Sequence, residues 1–263
     1  MHDQRVSFSL HDGVATVTLC CPQRANSIDV EMARQLHDAA LRCDTDEVRV
    51  VLLRAEGPIF CAGGDVKSFG NAGDALPGLL AEILEPMNAA VACFSQMNAP
   101  LIIAVGGTAA GGGLGLACSG DFVIAADNAR FAIAYTRIGM TPDVSTTYFV
   151  PRRIGVARTR QLLLCNPVLD AATALEWGLV ERVVAAADLD AEAIKLATEF
   201  AAGPTQAYGA VKRLLLETLA NDLKTQLDLE ARTICEMGAG SDGKEGIRAL
   251  LEKRAPRFGG SRR

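Results

Sequence analysis

Apolar and polar residues alternate over the first twenty positions, then give way to short apolar blocks separated by amphipathic stretches. RVSFSL and VATVTLC, joined by His11-Asp12-Gly13, have the period of two and the turn residues of a β-hairpin. Pro22 to Asn26 breaks the pattern, and Ser27 or Asp29 can cap a helix that carries Met32, Leu36 and Ala40 on one face. Near-continuous apolar runs at 48–53 (VRVVLL) and 100–105 (PLIIAV) predict buried strands, as do FVIAA at 122–126 and RFAIAY at 130–135. A loop-like stretch at 70–78 (GNAGDALPG) and a helix over 79–97, ending before Asn98-Ala99-Pro100, fall between the first two runs. This alternation of strand and helix predicts an α/β fold. Beyond about residue 188 strand signals fade and four helical segments follow, dividing the chain into a core over 1–188 and a C-terminal helical region over 189–263.

Two glycine-bearing stretches carry the chemistry. FCAGGD at Phe60–Asp65 and GTAAGGGLG at Gly107–Gly115 each follow an apolar strand run and lead into a helix-like segment. Such a context supplies two bare backbone N–H groups, and a pair of them can hold a developing oxyanion. No strong nucleophile sits beside either stretch. The pair therefore suggests an enzyme that stabilises an enolate rather than one that hydrolyses through a Ser or Cys triad. The alternative is that the glycines only permit tight turns or close helix–strand packing.

Composition narrows the field. The chain has 263 residues, 49% hydrophobic and 22% charged, which suits one sizeable globular core. A net charge of −5 argues against nucleic acid as the main partner, although Arg152, Arg153, Lys253 and Arg254 leave local basic groups for phosphates. The N-terminal stretch lacks the apolar core of a signal peptide, no apolar run reaches membrane-span length, and a cytoplasmic location is expected. Eight scattered cysteines without CxxC spacing read as small buried apolar residues, so neither a metal site nor a disulfide framework is expected.

The residues resemble the crotonase (enoyl-CoA hydratase/isomerase) superfamily along nearly the whole chain. The similarity lies in PQRANSID at 22–29, FCAGGD at 60–65, AAGGGLGLACSGDFVIA at 109–125, RFAIAYTRIGMTPD at 130–143, ALEWGLVERVV at 174–184 and EGIRALLEKRAPRF at 245–258. The resemblance implies a spiral of ββα units, a C-terminal helical trimerisation region giving a trimer or dimer of trimers, and acyl-CoA thioester substrates. Coenzyme A would enter as part of the substrate, with no further cofactor. It also implies that the oxyanion donors are the N–H groups of Gly64 and Gly112, each worth roughly 3–4 kcal/mol to the developing charge. By the same resemblance, CoA contacts fall on Arg24, Ala25, Ala62, Asp65 and Val66, and on Lys253, often from a neighbouring subunit.

One departure from the family pattern decides the expected reaction. Hydratases of the superfamily use two glutamates, one two residues beyond the GGG run and one about twenty residues later; here those places hold Gly115 and Tyr135. Ordinary two-glutamate hydration is therefore not expected. The segment GMTPD instead resembles enoyl-CoA isomerases of the phenylacetate-pathway type and offers Asp143 as a single acid/base for moving a double bond through a dienolate. Asp143 could alternatively cap the segment 144–150. Glu82, Glu85 and Tyr135 are further candidates for the acyl pocket. A dehalogenase-like enzyme with Asp143 as nucleophile and an aromatic partner where Tyr135 stands, a hydratase with an atypical acid, and a non-catalytic acyl-CoA-binding relative are the competing readings. The dehalogenase is weakened because the three histidines lie at 2, 11 and 37 and Asn88 stands where a water-activating histidine would fall.

Overall fold

The computed structural model describes residues 4–259. Strands β1 (Val6–His11) and β2 (Val14–Leu19) form the expected hairpin, with Val6 opposite Leu19. Its turn residues Asp12 and Gly13 have φ of 50° and 78°, and two left-handed residues match the natural twist of the paired strands. Asp29 caps α1 (Val30–Cys43), its carboxylate accepting from the Met32 N–H at 2.8 Å.

From there the chain winds. Strands β3 (Val50–Ala55) and β4 (Ile59–Cys61) precede helices α2 (Val66–Ala72) and α3 (Leu76–Gln96). Next come β5 (Leu101–Val105), β6 (Thr108–Ala110) and α4 (Gly112–Cys118), then β7 (Phe122–Ala126), β8 (Arg130–Ala132) and α5 (Thr146–Cys165). Strand β9 (Val168–Asp170), α6 (Ala171–Trp177) and β10 (Arg182–Val184) close the strand-bearing part. Of the pairs β3/β4, β5/β6 and β7/β8, the first strand joins a sheet ordered β1-β2-β3-β5-β7-β10 and the second joins a sheet ordered β4-β6-β8-β9. Pairing is parallel except at β1 and β9, so each turn contributes one strand to each sheet before a helix returns the chain. This is the α/β spiral of ββα units.

The continuous apolar runs are explained by burial on two faces. Val51, Leu53, Leu101 and Ile103 face the main core with Met32 and Leu36 of α1 and Met87 and Phe94 of α3. Val50, Leu52, Ile102 and Ile124 face the other way, onto Leu189, Ala193 and Ala197 of α7 (Leu189–Ala201). Three further helices follow: α8 (Thr205–Glu217), α9 (Leu223–Ala239) and α10 (Ser241–Leu251).

Beyond residue 188 the described chain is helical, and α7 covers one face of the larger sheet. Helix α8 is tied in as well: Lys212 Nζ donates to the carbonyls of Phe94 and Ala99, both at 2.9 Å, and pairs with Asp121 at 2.7 Å. The loop expected over 70–78 is mostly helical. Asp65 caps α2 through Lys67 and Ser68, and Pro77 sits in the first turn of α3, where a missing N–H is harmless. Finally, strand β8 ends at Ala132 and Tyr135 opens a 3₁₀ turn over Tyr135–Ile138, which swings the following segment away from the sheet. Among the described residues, no helix is long and apolar enough to cross a membrane.

Candidate active site

The two glycine stretches meet. Gly63 has φ of 83°, which favours glycine, and a Cβ there would lie 2.7 Å from the Ala110 carbonyl and 3.2 Å from the Gly112 nitrogen. The turn after β4 thus rests directly on the turn before α4. Gly64 pairs with Ile28 in an isolated parallel bridge, and Gly112 is the first residue of α4. Among the described residues, neither the Gly64 nor the Gly112 N–H has an internal acceptor. Gly64 and Gly112 line one cavity of about 530 Å³, together with Tyr135 and Asp143.

The segment after Gly139 delivers the acid to this cavity. Val144 and Ser145 follow Asp143 with φ of 45° and 58°, two consecutive left-handed non-glycine residues, the first β-branched and buried. The corner is held by the Thr146 N–H bonding the Asp143 carbonyl at 2.9 Å and by the N–H groups of Tyr148 and Phe149 on the Ser145 carbonyl. Asp143 therefore contributes its backbone carbonyl to the start of α5, while its carboxylate makes no cap. Oδ1 accepts a hydrogen bond from the Tyr135 hydroxyl and lies 3.3 Å from where a Cβ on Gly112 would stand.

Burial pushes the Asp143 carboxyl above the usual carboxylate range, and the Tyr135 hydrogen bond opposes that rise. Burial, the Asp143 charge and the donated hydrogen bond together drive the Tyr135 phenol far upward, so it stays protonated. The rest of the cavity is mainly apolar, with Phe69 from α2, Leu80 and Leu84 from α3, Ile138 at the end of the 3₁₀ turn and Met140 just beyond it. Asp143 is the one carboxylate lining it among the described residues. An apolar chamber with one carboxylate of raised pKa and two unspent N–H donors can remove a proton next to a carbonyl and hold the resulting enolate.

Glu82 and Glu85, expected as pocket candidates, are corrected: both are exposed and neither lines the cavity. Glu82 pairs with Arg34 at 2.7 Å on the outer side of α3. Helix geometry explains this, since Leu80 and Leu84 stand four residues apart and share the inward face. Arg24 lies between Asp29 and Asp65, at 3.3 and 3.2 Å. Ala25 is left-handed at φ 54°, and its carbonyl accepts the Ala62 N–H at 3.1 Å, so what Ala62 can offer a ligand is its own carbonyl. The Asp65 N–H is likewise spent, on Ile28 at 3.3 Å. Val66 is exposed at the cavity rim, and Lys253 is exposed beyond α10, away from the cavity. His11, His37 and Asn88 do not line it either, and His2 lies outside the described residues. Among the described residues, no group of three or more His, Cys, Asp or Glu could hold a metal ion.

Two features escaped the sequence reading. One is the hydrogen bond itself from Tyr135 to Asp143: the dehalogenase-like reading sets an aromatic partner at Tyr135, but the turn and loop between them carry no periodicity that gives the contact. The other is buried Asn26: its amide accepts from the Cys21 N–H and donates to the Glu56 and Ile59 carbonyls, fixing the approach to β4.

The model of the enoyl-CoA hydratase/isomerase family matches residues 9–261. The chain belongs to that family. It is 38% identical over 251 residues to the 1,2-epoxyphenylacetyl-CoA isomerase of Escherichia coli, covering 94% of this chain and 95% of the relative. A Rhodobacter capsulatus protein named probable enoyl-CoA hydratase is 37% identical over 255 residues, covering 97% and 98%. The crystal structure of an enoyl-CoA hydratase from Polaromonas sp. JS666 superimposes with a TM-score of 0.91 at 30% identity, over 96% of this chain and 99% of that one. Relatives of nearly equal similarity thus bear the names of different reactions, and the site has to distinguish them.

Proposed function

We propose that the protein is an enoyl-CoA isomerase, which moves a double bond along an acyl-CoA thioester with Asp143 as its single acid/base. The observation that carries this reading is the lone carboxylate in an apolar cavity beside two unspent backbone donors. With a 3-enoyl thioester, Asp143 breaks the C2–H bond and keeps the proton, while the electron pair spreads into a dienolate. The thioester oxygen takes the charge and is held by the N–H groups of Gly64 and Gly112, the latter at the first turn of α4. The carboxylic acid then gives the proton to C4, and the double bond rests between C2 and C3. Two-glutamate hydration would need a second carboxylate, and the cavity lining has none among the described residues.

Coenzyme A enters as part of the substrate. Ala62 and Val66 line the cavity that holds Asp143; by the family resemblance the adenine end of coenzyme A would rest on Arg24, Ala25, the Ala62 carbonyl, Asp65 and Val66, and Lys253 would reach it from a neighbouring copy. Leu219, Leu223, Ile234, Leu250 and Leu251 on and around α8–α10 are at least 70% exposed, which favours a trimer or a dimer of trimers.

The test is to incubate the protein with 3-enoyl-CoA and, separately, with 2-enoyl-CoA, following migration by absorbance and water addition by mass. Migration that Asp143→Asn abolishes while acyl-CoA still binds is the expected result. Rapid hydration without migration, or full migration by the Asn variant, overturns the proposal.

A further inference from the structure

We infer that Tyr135 is the positioning residue of this acid/base: by holding Oδ1 of Asp143, it leaves Oδ2 to carry the substrate proton in both half-reactions. The inference rests on the isomerase reading and adds which oxygen works. The phenol has one hydrogen, and it is committed to Oδ1. Its ring lies over the glycine turn, where a Cβ on Gly111 would stand 3.8 Å from both Cζ and Oη. The same Oδ1 is the oxygen packed against Gly112. Phenol, carboxylate and the Gly112 donor therefore form one contiguous edge of the cavity, with Oδ1 held between the phenol and Gly112.

A freely turning carboxylate could take the proton on either oxygen and lose it in an unproductive orientation. Here C2–H breaks as O–H forms at Oδ2, and that O–H breaks as C4–H forms, with no other proton consumed. Tyr135 cannot replace Asp143 as the base, because its raised pKa leaves it a donor throughout the working range. It also works against the burial that would protonate Asp143 too early. The titratable groups acting on this pair are each other and the buried Cys61 thiol of β4, which burial pushes up to about 12 and keeps neutral.

Two variants of the full-length protein test the assignment, with kcat and KM for 3-enoyl-CoA measured across pH. Tyr135→Phe should leave KM within about twofold, lower the plateau kcat at least tenfold, and move the acidic limb of the rate profile to higher pH, since a donor that favours the ionised form is gone. Replacing Tyr135 with 3-fluorotyrosine keeps the shape and gives a stronger donor, so it should move the limb to lower pH; it decides the matter if the Phe variant folds poorly. An unchanged plateau kcat in Tyr135→Phe, or a limb that stays in place in either protein, overturns the assignment. If Asp143→Asn is inactive while both Tyr135 proteins behave as wild type, only this inference falls. If Asp143→Asn still migrates the double bond, the isomerase proposal falls first.

Discussion

Replacing Gly115 with alanine puts one methyl group where the fold has no room. Its Cβ would stand 2.3 Å from the Val144 carbonyl oxygen and 2.5 Å from Thr146 Oγ1, against normal contacts of about 3.5 Å. Relief therefore needs a displacement of about 1 Å in backbone atoms, not the swing of a flexible side chain. The backbone concerned already holds Val144 and Ser145 in left-handed conformations, and all seven residues of α4 are buried on the other side. Overpacking of this kind costs about 1–3 kcal/mol, and the rigidity on both sides places it near the upper end. For a domain of this size each kcal/mol lowers the melting temperature by about 2–4 °C, so a fall of about 6–12 °C is expected. Circular dichroism melts of the two proteins at one concentration make the measurement. A melting temperature within about 1 °C of wild type would refute the reasoning. Gly115→Glu carries the same clash with a longer side chain, so it should fold worse still and gain no hydratase activity; a stable, hydrating Gly115→Glu protein would show that the 143–146 segment yields easily.

Lys212→Ala would leave the Asp121 carboxylate and two carbonyls without their shared cation, and urea unfolding should show a loss of about 3–5 kcal/mol; a loss below 1 kcal/mol would mean that α8 is not anchored there. Asp143→Asn should stabilise the protein near pH 7–8, because burial raises the native carboxyl above its ordinary 3.8 and so makes the ionised form unfavourable to folding. That gain should vanish by about pH 3, where the wild-type carboxyl is protonated in both states, and a gain independent of pH would point to packing instead.

The fold was legible because its strands are buried on both faces and its turns use distinctive residues. Val50 to Leu53 and Leu101 to Val105 present no polar face, and that places them inside a parallel sheet before any pairing is known. What stayed hidden depends on distant approach. The helical start at Leu76 was masked by Gly73 and Pro77, which resemble loop punctuation although proline suits a first helical turn. The inward face of α3 could have been read from Leu80 and Leu84, since four-residue spacing marks one face of a helix. Glu82 and Glu85 drew notice because they could do chemistry, and they point outward. Asp143 and Tyr135 are both named through resemblance, but the hydrogen bond that joins them is not, because seven residues of turn and loop give no rule for which side chains meet.

The glycine run of α4 shows that the packing and the chemical explanations of these residues are one explanation. A Cβ on Gly113 would stand 2.3 Å from the Cys61 carbonyl, and one on Gly115 would stand 2.3 Å from the Val144 carbonyl. Those two positions let a seven-residue buried helix touch the first glycine turn on one side and the Asp143 corner on the other. Gly112, between them and the cavity, leaves space for the carboxylate at 3.3 Å. The corner itself is strained, at about 1–3 kcal/mol for each left-handed residue. Burial of the Val144 side chain, about 1.5–3 kcal/mol, and the helix-starting hydrogen bonds offset that strain only if the Val144 carbonyl can settle onto Gly115. A side chain at 115 and the corner that delivers Asp143 therefore meet at the Val144 carbonyl, so the glycine at 115 and the carboxylate at 143 are coupled through packing.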